Sequence, residues 1–245
     1  MRGNRAHGLL ALGGIALAAL LAVIGHLEVN DDLNPWSLTV SDFAVSDRGG
    51  VVDAAMVVLA VATAVLIPPL WRTRPTPDPG RQPADGHRVR RGGRRSAATA
   101  LLLAWSTGLV IAAVVPTNQP GTPMDTTAQL HRYASVVAFL ALPAAGWLLA
   151  GHLSARTAGL LRALAMTSLL LAGAMVWSAY PGDRVLIGLA ERLLILAEVV
   201  LLAVVAAALA RPPASTPPTS ADPCVRRAGP RGRPGGAAAT PVRGA

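Results

Sequence analysis

The stretch from Glu191 to Ala210, ERLLILAEVVLLAVVAAALA, is the feature that most constrains what this chain can fold into. An α-helix of this length rises about 30 Å, which matches the hydrocarbon thickness of a bilayer. Glu198 lies about 10 Å along the helix from Glu191, and a spacing of seven residues places both carboxyl groups on one helix face. Because lipid solvates neither group, we expect this face to point into protein or a wet cavity.

Five more apolar stretches of similar length precede this one. The chain is 52% hydrophobic and only 14% charged, whereas globular domains contain about 25% charged residues. The sequence therefore predicts an all-α fold, a polytopic membrane bundle of six transmembrane helices. The predicted spans are residues 9–27, 51–70, 96–115, 132–150, 159–179 and 191–210.

The first apolar run follows a short basic segment, an order that is also typical of a cleaved signal peptide. We favour a retained helix, because residues 9–27 are long for a signal peptide and no clear small-residue cleavage site follows them. The third span carries Ala104, Gly108 and Ala112 at four-residue spacing, which predicts close approach of another helix.

The arginines are distributed unevenly between the two ends of the predicted bundle. All 22 basic residues are arginine, and 18 of them lie on the side of the amino terminus. The positive-inside rule therefore predicts a multi-pass protein of the cell inner (plasma) membrane with both termini in the cytoplasm. A formal charge of +9 would suggest nucleic acid in a soluble protein. However, no aromatic residues interleave the arginine clusters to stack on bases, so we expect no nucleic-acid partner.

Two segments lack the apolar residues needed for a core. Residues 72–95 and the basic tail, residues 211–245, are rich in Pro, Arg and small residues, so both are predicted to be disordered. The tail is predicted to be cytoplasmic. It contains the single Cys224, which can form no internal disulfide.

Polar residues collect at the ends of the spans opposite the predicted cytoplasmic side. The predicted binding residues there are Asp42, His131, Arg132, Glu191 and Arg192. Charged residues at helix ends also serve simply as interfacial anchors, and the pair Glu191 and Arg192 fits that alternative. Glu198 lies deeper and is the candidate catalytic residue. A charge inside a span costs about 3 kcal/mol, which favours a functional role. The alternative is a neutral structural acid that hydrogen-bonds a neighbouring helix.

The sequence indicates neither a metal site nor a cofactor. His26, His131 and His152 form no HxxxH or HExxH pair, and His152 is predicted at the opposite membrane face from the other two. The chain has neither a phosphate-binding loop nor a GxSxG motif.

Four short motifs, in this order, resemble a bacterial membrane-protein family called domain of unknown function 998. They are NPWSLTVSDFA (residues 34–44), PTN (116–118), HRYASVVAFLALPAAG (131–146) and GLAERLL (188–194). The resemblance spans roughly Leu9 to Ala210 and implies the six-helix fold, but it implies no activity. The resemblance implies five functional positions in this sequence, which are Ser41, Asp42, His131, Glu191 and Arg192. Where the family often has an acid after the Pro-Thr pair, this sequence has Asn118.

Three functional hypotheses follow from these residues. In the first, the protein binds a lipid or another amphipathic small molecule in an outward-facing polar pocket. Arg132 and Arg192 hold an anionic head group there, and the two arginines are oriented by Asp42, His131 and Glu191. In the second, it is an intramembrane enzyme on a hydrophobic substrate such as an isoprenoid, a cyclase with Glu198 as general acid. A small-molecule transporter is the third. It is less favoured because neither an inverted repeat nor a pair of broken helices is evident. The partners expected are membrane lipids and a hydrophobic ligand, and the oligomeric state is left open.

Overall fold

Runs of Ala, Leu and Val form the long helices of the protein, because Ala and Leu favour helix and because a helix satisfies its own backbone hydrogen bonds in lipid. The computed structural model describes residues 2–27, 34–44, 49–72, 85–118 and 122–211. Within these ranges the elements are α1 (Arg2–Leu27), α2 (Val40–Ala44), α3 (Gly49–Arg72), α4 (Asp85–Val114), α5 (Thr126–Ala150), α6 (Ala155–Ala179) and α7 (Ile187–Ala210). Residues 212–245 lie outside the described ranges.

The six long helices form a closed ring. Each packs against the next in the chain, and α7 packs against α1 as well as against α6. Consecutive helices run antiparallel, as contacts between their ends show. At one end of the bundle, Trp71 of α3 donates a hydrogen bond from Nε1 to the Thr99 hydroxyl of α4 at 2.9 Å. At the other end, Val115 follows α4 and its carbonyl contacts His131 of α5. We call this second end, which also contains α2, the α2 end.

All six long helices are long and apolar enough to cross a membrane. Large apolar side chains in the middle of the helices, such as Leu103, Leu140 and Leu170, point outward and are exposed by 48–70%. Such an exterior is expected where lipid, rather than water, surrounds the helices. The predicted all-α bundle of six spanning helices is therefore confirmed in the described residues. The orientation of the termini stays a prediction.

Close helix packing occurs where the sequence predicted it on the third span. A Cβ added to Gly108 of α4 would lie 2.8 Å from the Ala134 carbonyl oxygen of α5 and 3.2 Å from the Ala138 Cβ. The absence of a side chain at this position therefore lets α4 and α5 approach closely. The core nearby contains Trp105, Leu142 and Leu201, each no more than 1% exposed.

Several helices begin earlier than the predicted spans, because hydropathy marks the apolar part of a helix and not its first turns. α5 begins at Thr126 because the Asp125 side chain accepts a hydrogen bond from the Ala128 backbone N at 2.8 Å, an N-terminal cap. α4 begins at Asp85, inside the segment predicted as a disordered loop, so that expectation does not hold for residues 85–95. Residues 73–84 of that loop and all of the tail after Arg211 lie outside the described residues.

Candidate functional site

Residues 34–44, which we call the cover segment, lie across the α2 end of the bundle. Its first turn is organised by Asn34, whose side-chain oxygen accepts from the Trp36 backbone N at 3.0 Å and whose carbonyl accepts from Leu38 N at 3.1 Å. A side-chain amide that mimics a backbone turn is characteristic of Asn before Pro. The turn directs the carbonyl groups of Pro35, Trp36 and Leu38 toward α7.

The short helix α2 completes the cover segment and is held by a capping box. The Thr39 hydroxyl accepts from the Asp42 backbone N at 3.2 Å, and the Asp42 carboxylate accepts from the Thr39 backbone N at 2.8 Å. This reciprocal pair satisfies two amide groups at the start of the helix. Asp42 also forms a 3.3 Å ion pair with Arg184. The predicted binding residue Asp42 therefore shapes and anchors the cover segment.

The cover segment is hydrogen-bonded to the first turn of α7. Arg192 donates from Nη1 to the carbonyl oxygens of Pro35 at 2.8 Å and Leu38 at 2.9 Å, and to Gly188 of its own helix at 3.0 Å. The Gly188 backbone N donates to the Trp36 carbonyl oxygen at 3.1 Å. Arg192, which was predicted to hold an anionic head group, contacts these backbone carbonyls through Nη1.

The close approach of the cover-segment backbone to the α7 backbone requires glycine at position 188. A Cβ at this position would lie 2.5 Å from the Pro35 carbonyl oxygen and would also overlap the Leu38 carbonyl oxygen. Both obstacles are backbone atoms, so a side-chain rotation cannot relieve the overlap. The motifs NPWSLT and GLAER, which are far apart in the chain, therefore form one contact.

The turn before α7 has an unusual backbone. Asp183, Arg184 and Leu186 have φ values of 48°, 61° and 62°, a region that costs non-glycine residues about 1–2 kcal/mol each. The Ser178 hydroxyl donates to the Val185 carbonyl, and the Arg184 backbone N donates to the Ser178 carbonyl at 2.8 Å. These bonds hold the strained turn so that Arg184 reaches Asp42.

Beneath the cover segment lies a cavity of about 130 Å³. Helices α1, α3, α4, α5 and α7 form its walls, and Val40 and Ser41 of α2 line its α2 end. Most lining side chains are apolar, and the polar ones are Ser41, His131, Ser135, Glu191 and Glu198. The two carboxyl groups that the sequence placed on one face of the last span both face this cavity.

Glu191 joins the cavity to the cover segment. It is only 5% exposed, and its Oε2 accepts a hydrogen bond from the Val40 backbone N at 2.5 Å. This bond ties the first residue of α2 to the wall of the cavity. The predicted binding residue Glu191 therefore contacts both the cover segment and the cavity.

Glu198 lies about 10 Å farther along α7 and is 3% exposed. Its Oε2 accepts a 3.5 Å hydrogen bond from Nε1 of Trp105 on α4, as expected for a structural acid that bonds to a neighbouring helix. Its Oε1 has no hydrogen-bond partner in the part of the chain that the structure describes. A buried polar atom without a partner costs about 1–3 kcal/mol, so this oxygen marks a position where a polar ligand atom is favoured.

His131 and Arg132 are neighbours in sequence but face different surroundings. His131 is 6% exposed, lines the cavity, and its Nδ1 lies 2.8 Å from the Val115 carbonyl oxygen. Arg132 is exposed, donates to the Tyr180 hydroxyl at 3.1 Å and stacks over that ring at 5.7 Å from its centroid. Arg132 does not line the cavity.

Sequence reasoning missed two partners of the cavity residues. Trp105 is 1% exposed and is the hydrogen-bond donor to Glu198. A tryptophan in the middle of an apolar span, away from the interfaces that this residue prefers, was the available signal. The second partner, the Val40 backbone N, leaves no signal in a sequence. Among the described residues, no group of three or more His, Cys, Asp or Glu side chains is arranged to hold a metal ion.

All four motifs of the family resemblance lie or begin at the α2 end. The family model with the description "Protein of unknown function (DUF998)" matches residues 85–208, which run from the start of α4 nearly to the end of α7. No curated protein and no solved structure matched the chain significantly. The matched region covers just over half of the chain and contains three of the four motifs. The chain therefore belongs to the DUF998 family, and its six apolar helices make it a multi-pass membrane protein.

Proposed function

We propose that this protein binds a small amphipathic molecule, mainly apolar in body, in the cavity beneath the cover segment. The observation that carries the proposal is Glu198 Oε1, a buried oxygen without a partner in the described residues, on the wall of a largely apolar cavity. Ligand sites typically combine apolar walls with a few polar groups that fix orientation. A ligand atom bonded to this oxygen would recover the free energy that burial of the free carboxyl oxygen costs.

Some buried polar side chains of the spans are satisfied within their own helix. Thr63, which is fully buried, donates to the Leu59 carbonyl of its own helix at 2.9 Å. Such internal bonding is the usual fate of a polar side chain inside a membrane span. Glu198 keeps one oxygen unbonded even though a charge at such a depth costs about 3 kcal/mol. The structural bond from Trp105 satisfies only the other carboxyl oxygen, so Oε1 is left without compensation.

The two arginines predicted to bind an anionic head group are not part of this proposal. Arg192 bonds to the carbonyl groups of the cover segment, and Arg132 stacks on Tyr180. Neither residue is among those that line the cavity. The polar groups proposed to meet the ligand are Glu198, Glu191 and His131.

A cavity-filling variant tests the proposal. Ala22 of α1 lines the cavity, so Ala22→Leu should displace the ligand. Ala163 of α6 is exposed on the exterior of the bundle, so Ala163→Leu adds the same volume without entering the cavity. The three full-length proteins are extracted in polymer nanodiscs, and small molecules released from them are identified by mass spectrometry. A molecule present in wild type and Ala163→Leu but lost from Ala22→Leu is expected. Equal retention in all three proteins, or no bound molecule in wild type, would contradict the proposal.

The proposed orientation places both termini in the cytoplasm and the α2 end on the opposite side of the membrane. It is supported by the uneven distribution of arginines, 18 of 22 on the amino-terminal side. A reporter active only in the cytosol, fused after Pro123, should be silent, whereas one fused after Arg211 should be active. Activity at the first position would place the α2 end on the cytoplasmic side.

The same free oxygen favours a second candidate, an intramembrane enzyme in which Glu198 acts as general acid on a hydrophobic substrate. In that case Glu198→Gln should abolish a product found in lipid extracts of cells that express wild type. A ligand that is retained chemically unchanged, with identical extracts from both strains, would favour the binding protein instead.

A further inference from the structure

We infer that the ligand of this cavity is a lipophilic amine, with an apolar body and an amino head group that meets Glu198. This inference rests on the proposed function and specifies the chemical class of the ligand. It depends on which polar groups line the cavity and on where the nearby arginines are directed.

Most polar atoms on the cavity wall are hydrogen-bond acceptors or already serve as donors to the protein. The Ser135 hydroxyl donates to the His131 carbonyl at 3.0 Å. A carbonyl oxygen can only accept, so His131 Nδ1 carries the hydrogen in its 2.8 Å contact with Val115, which leaves Nε2 as an acceptor in the neutral ring. Glu191 and Glu198 each accept one bond from the protein. A ligand head group that donates hydrogen bonds complements this wall.

The charges around the cavity argue against an anionic head group. No arginine is among the described lining residues, and two carboxyl groups are. Among the described residues, the arginines at the α2 end contact other groups: Arg184 contacts Asp42, Arg192 the carbonyls of the cover segment and Arg132 Tyr180. A carboxylate or phosphate in this space would meet acids without a compensating cation, which is costly in a low-dielectric interior.

An amine suits the free oxygen of Glu198 in either protonation state of that carboxyl group. An ammonium ion pairs directly with a carboxylate, and a neutral amine accepts the proton of a carboxylic acid, so both routes end in the same ion pair. A charge-assisted hydrogen bond of this kind is about twice as strong as one between neutral groups. A neutral alcohol would gain only the weaker bond.

Matched probes separate the head group from the apolar body. Hexyl and adamantyl compounds are prepared with an amino, hydroxyl or carboxylate head group, and each is titrated into the full-length protein in nanodiscs, with empty nanodiscs subtracted. Binding is followed by calorimetry. We expect the amine to bind at least tenfold more tightly than the alcohol of the same body, and the carboxylate not to bind. In Glu198→Gln the amine and the alcohol should differ by less than threefold.

The variant Ser106→Ala serves as the matched control, because Ser106 is buried on α4 next to Trp105 but is not among the lining residues. It should leave the preference for amine unchanged. If the alcohol or the carboxylate binds wild type as tightly as the amine, the inference about the head group fails while the binding function stands. If none of the six probes binds, the proposed function fails with it. An amine preference that survives Glu198→Gln would overturn the role of Glu198.

Discussion

Gly188→Ala is the most direct test of how the cover segment is held on α7. The new Cβ would lie 2.5 Å from the Pro35 carbonyl oxygen, whereas carbon and carbonyl oxygen normally meet at about 3.3–3.6 Å. The backbone of the cover segment would have to move by about 1 Å. That displacement would break the 3.1 Å bond from Gly188 to Trp36 and the two bonds from Arg192 to the segment.

These three bonds set the magnitude of the effect. A neutral hydrogen bond contributes about 1 kcal/mol and a charged one about 1.5 kcal/mol or more, so detachment of the cover segment becomes easier by about 4 kcal/mol. Because α7 is helical whether the cover segment is docked or detached, the higher helix propensity of alanine does not offset this change. A change of about 4 kcal/mol corresponds to roughly a 1000-fold increase in the detached population.

A single reporter cysteine measures that population. Ser41 lies on α2, is half-buried and faces the cavity, so Ser41→Cys should react slowly with a maleimide while the cover segment is docked. The native Cys224 is replaced by serine. In nanodiscs, where both faces of the protein are accessible, Gly188→Ala should accelerate labelling at position 41 by up to about 1000-fold.

The matched control is Gly173→Ala in α6. No described atom lies within 4 Å of the Cβ that this substitution adds, so labelling at position 41 should not change. A wild-type labelling rate in Gly188→Ala would refute the proposed contact between the cover segment and α7. An equal acceleration in Gly173→Ala would attribute the effect to general destabilisation of the bundle.

Further predictions use the same protein. Arg192→Ala should also accelerate labelling at position 41, by at least tenfold, because it removes two bonds to the cover segment. Arg132→Ala should not accelerate labelling, because Arg132 contacts Tyr180 and not the cover segment. Gly108→Ala should lower the free energy of unfolding by about 2 kcal/mol through overpacking, since its Cβ would lie 2.8 Å from a carbonyl oxygen of α5. The Cβ that Gly159→Ala adds has no described neighbour within 4 Å. This substitution should leave the thermal unfolding temperature of the detergent-solubilised protein unchanged or slightly higher.

The spans were predictable because hydropathy is a local property of the sequence. A run such as residues 191–210 is long and apolar enough to cross a bilayer, and a helix satisfies its backbone hydrogen bonds within the segment. Helix ends were less predictable because they depend on individual caps. Asp125 starts α5 six residues before the predicted span, at Thr126, and the apolar pattern contains no trace of that bond.

The candidate site was predictable in part. Helical periodicity alone placed Glu191 and Glu198 on one face, and both line the cavity. Periodicity did not distinguish Arg192 from Arg132, because each follows a buried residue at the end of a span. Their roles differ only because the cover segment lies over Arg192, whereas Tyr180 lies beside Arg132.

The sequence by itself determined the number of crossings and the face shared by the two carboxyl groups. The number of crossings follows from the transfer of apolar helices into lipid, and the shared face follows from the repeat of a single helix. Only the tertiary structure decided what those groups meet. Trp105 approaches from α4 and Val40 from the cover segment, and each contact joins residues about a hundred or more positions apart. Such contacts depend on how helices pack against one another, and that packing is a property of the whole bundle.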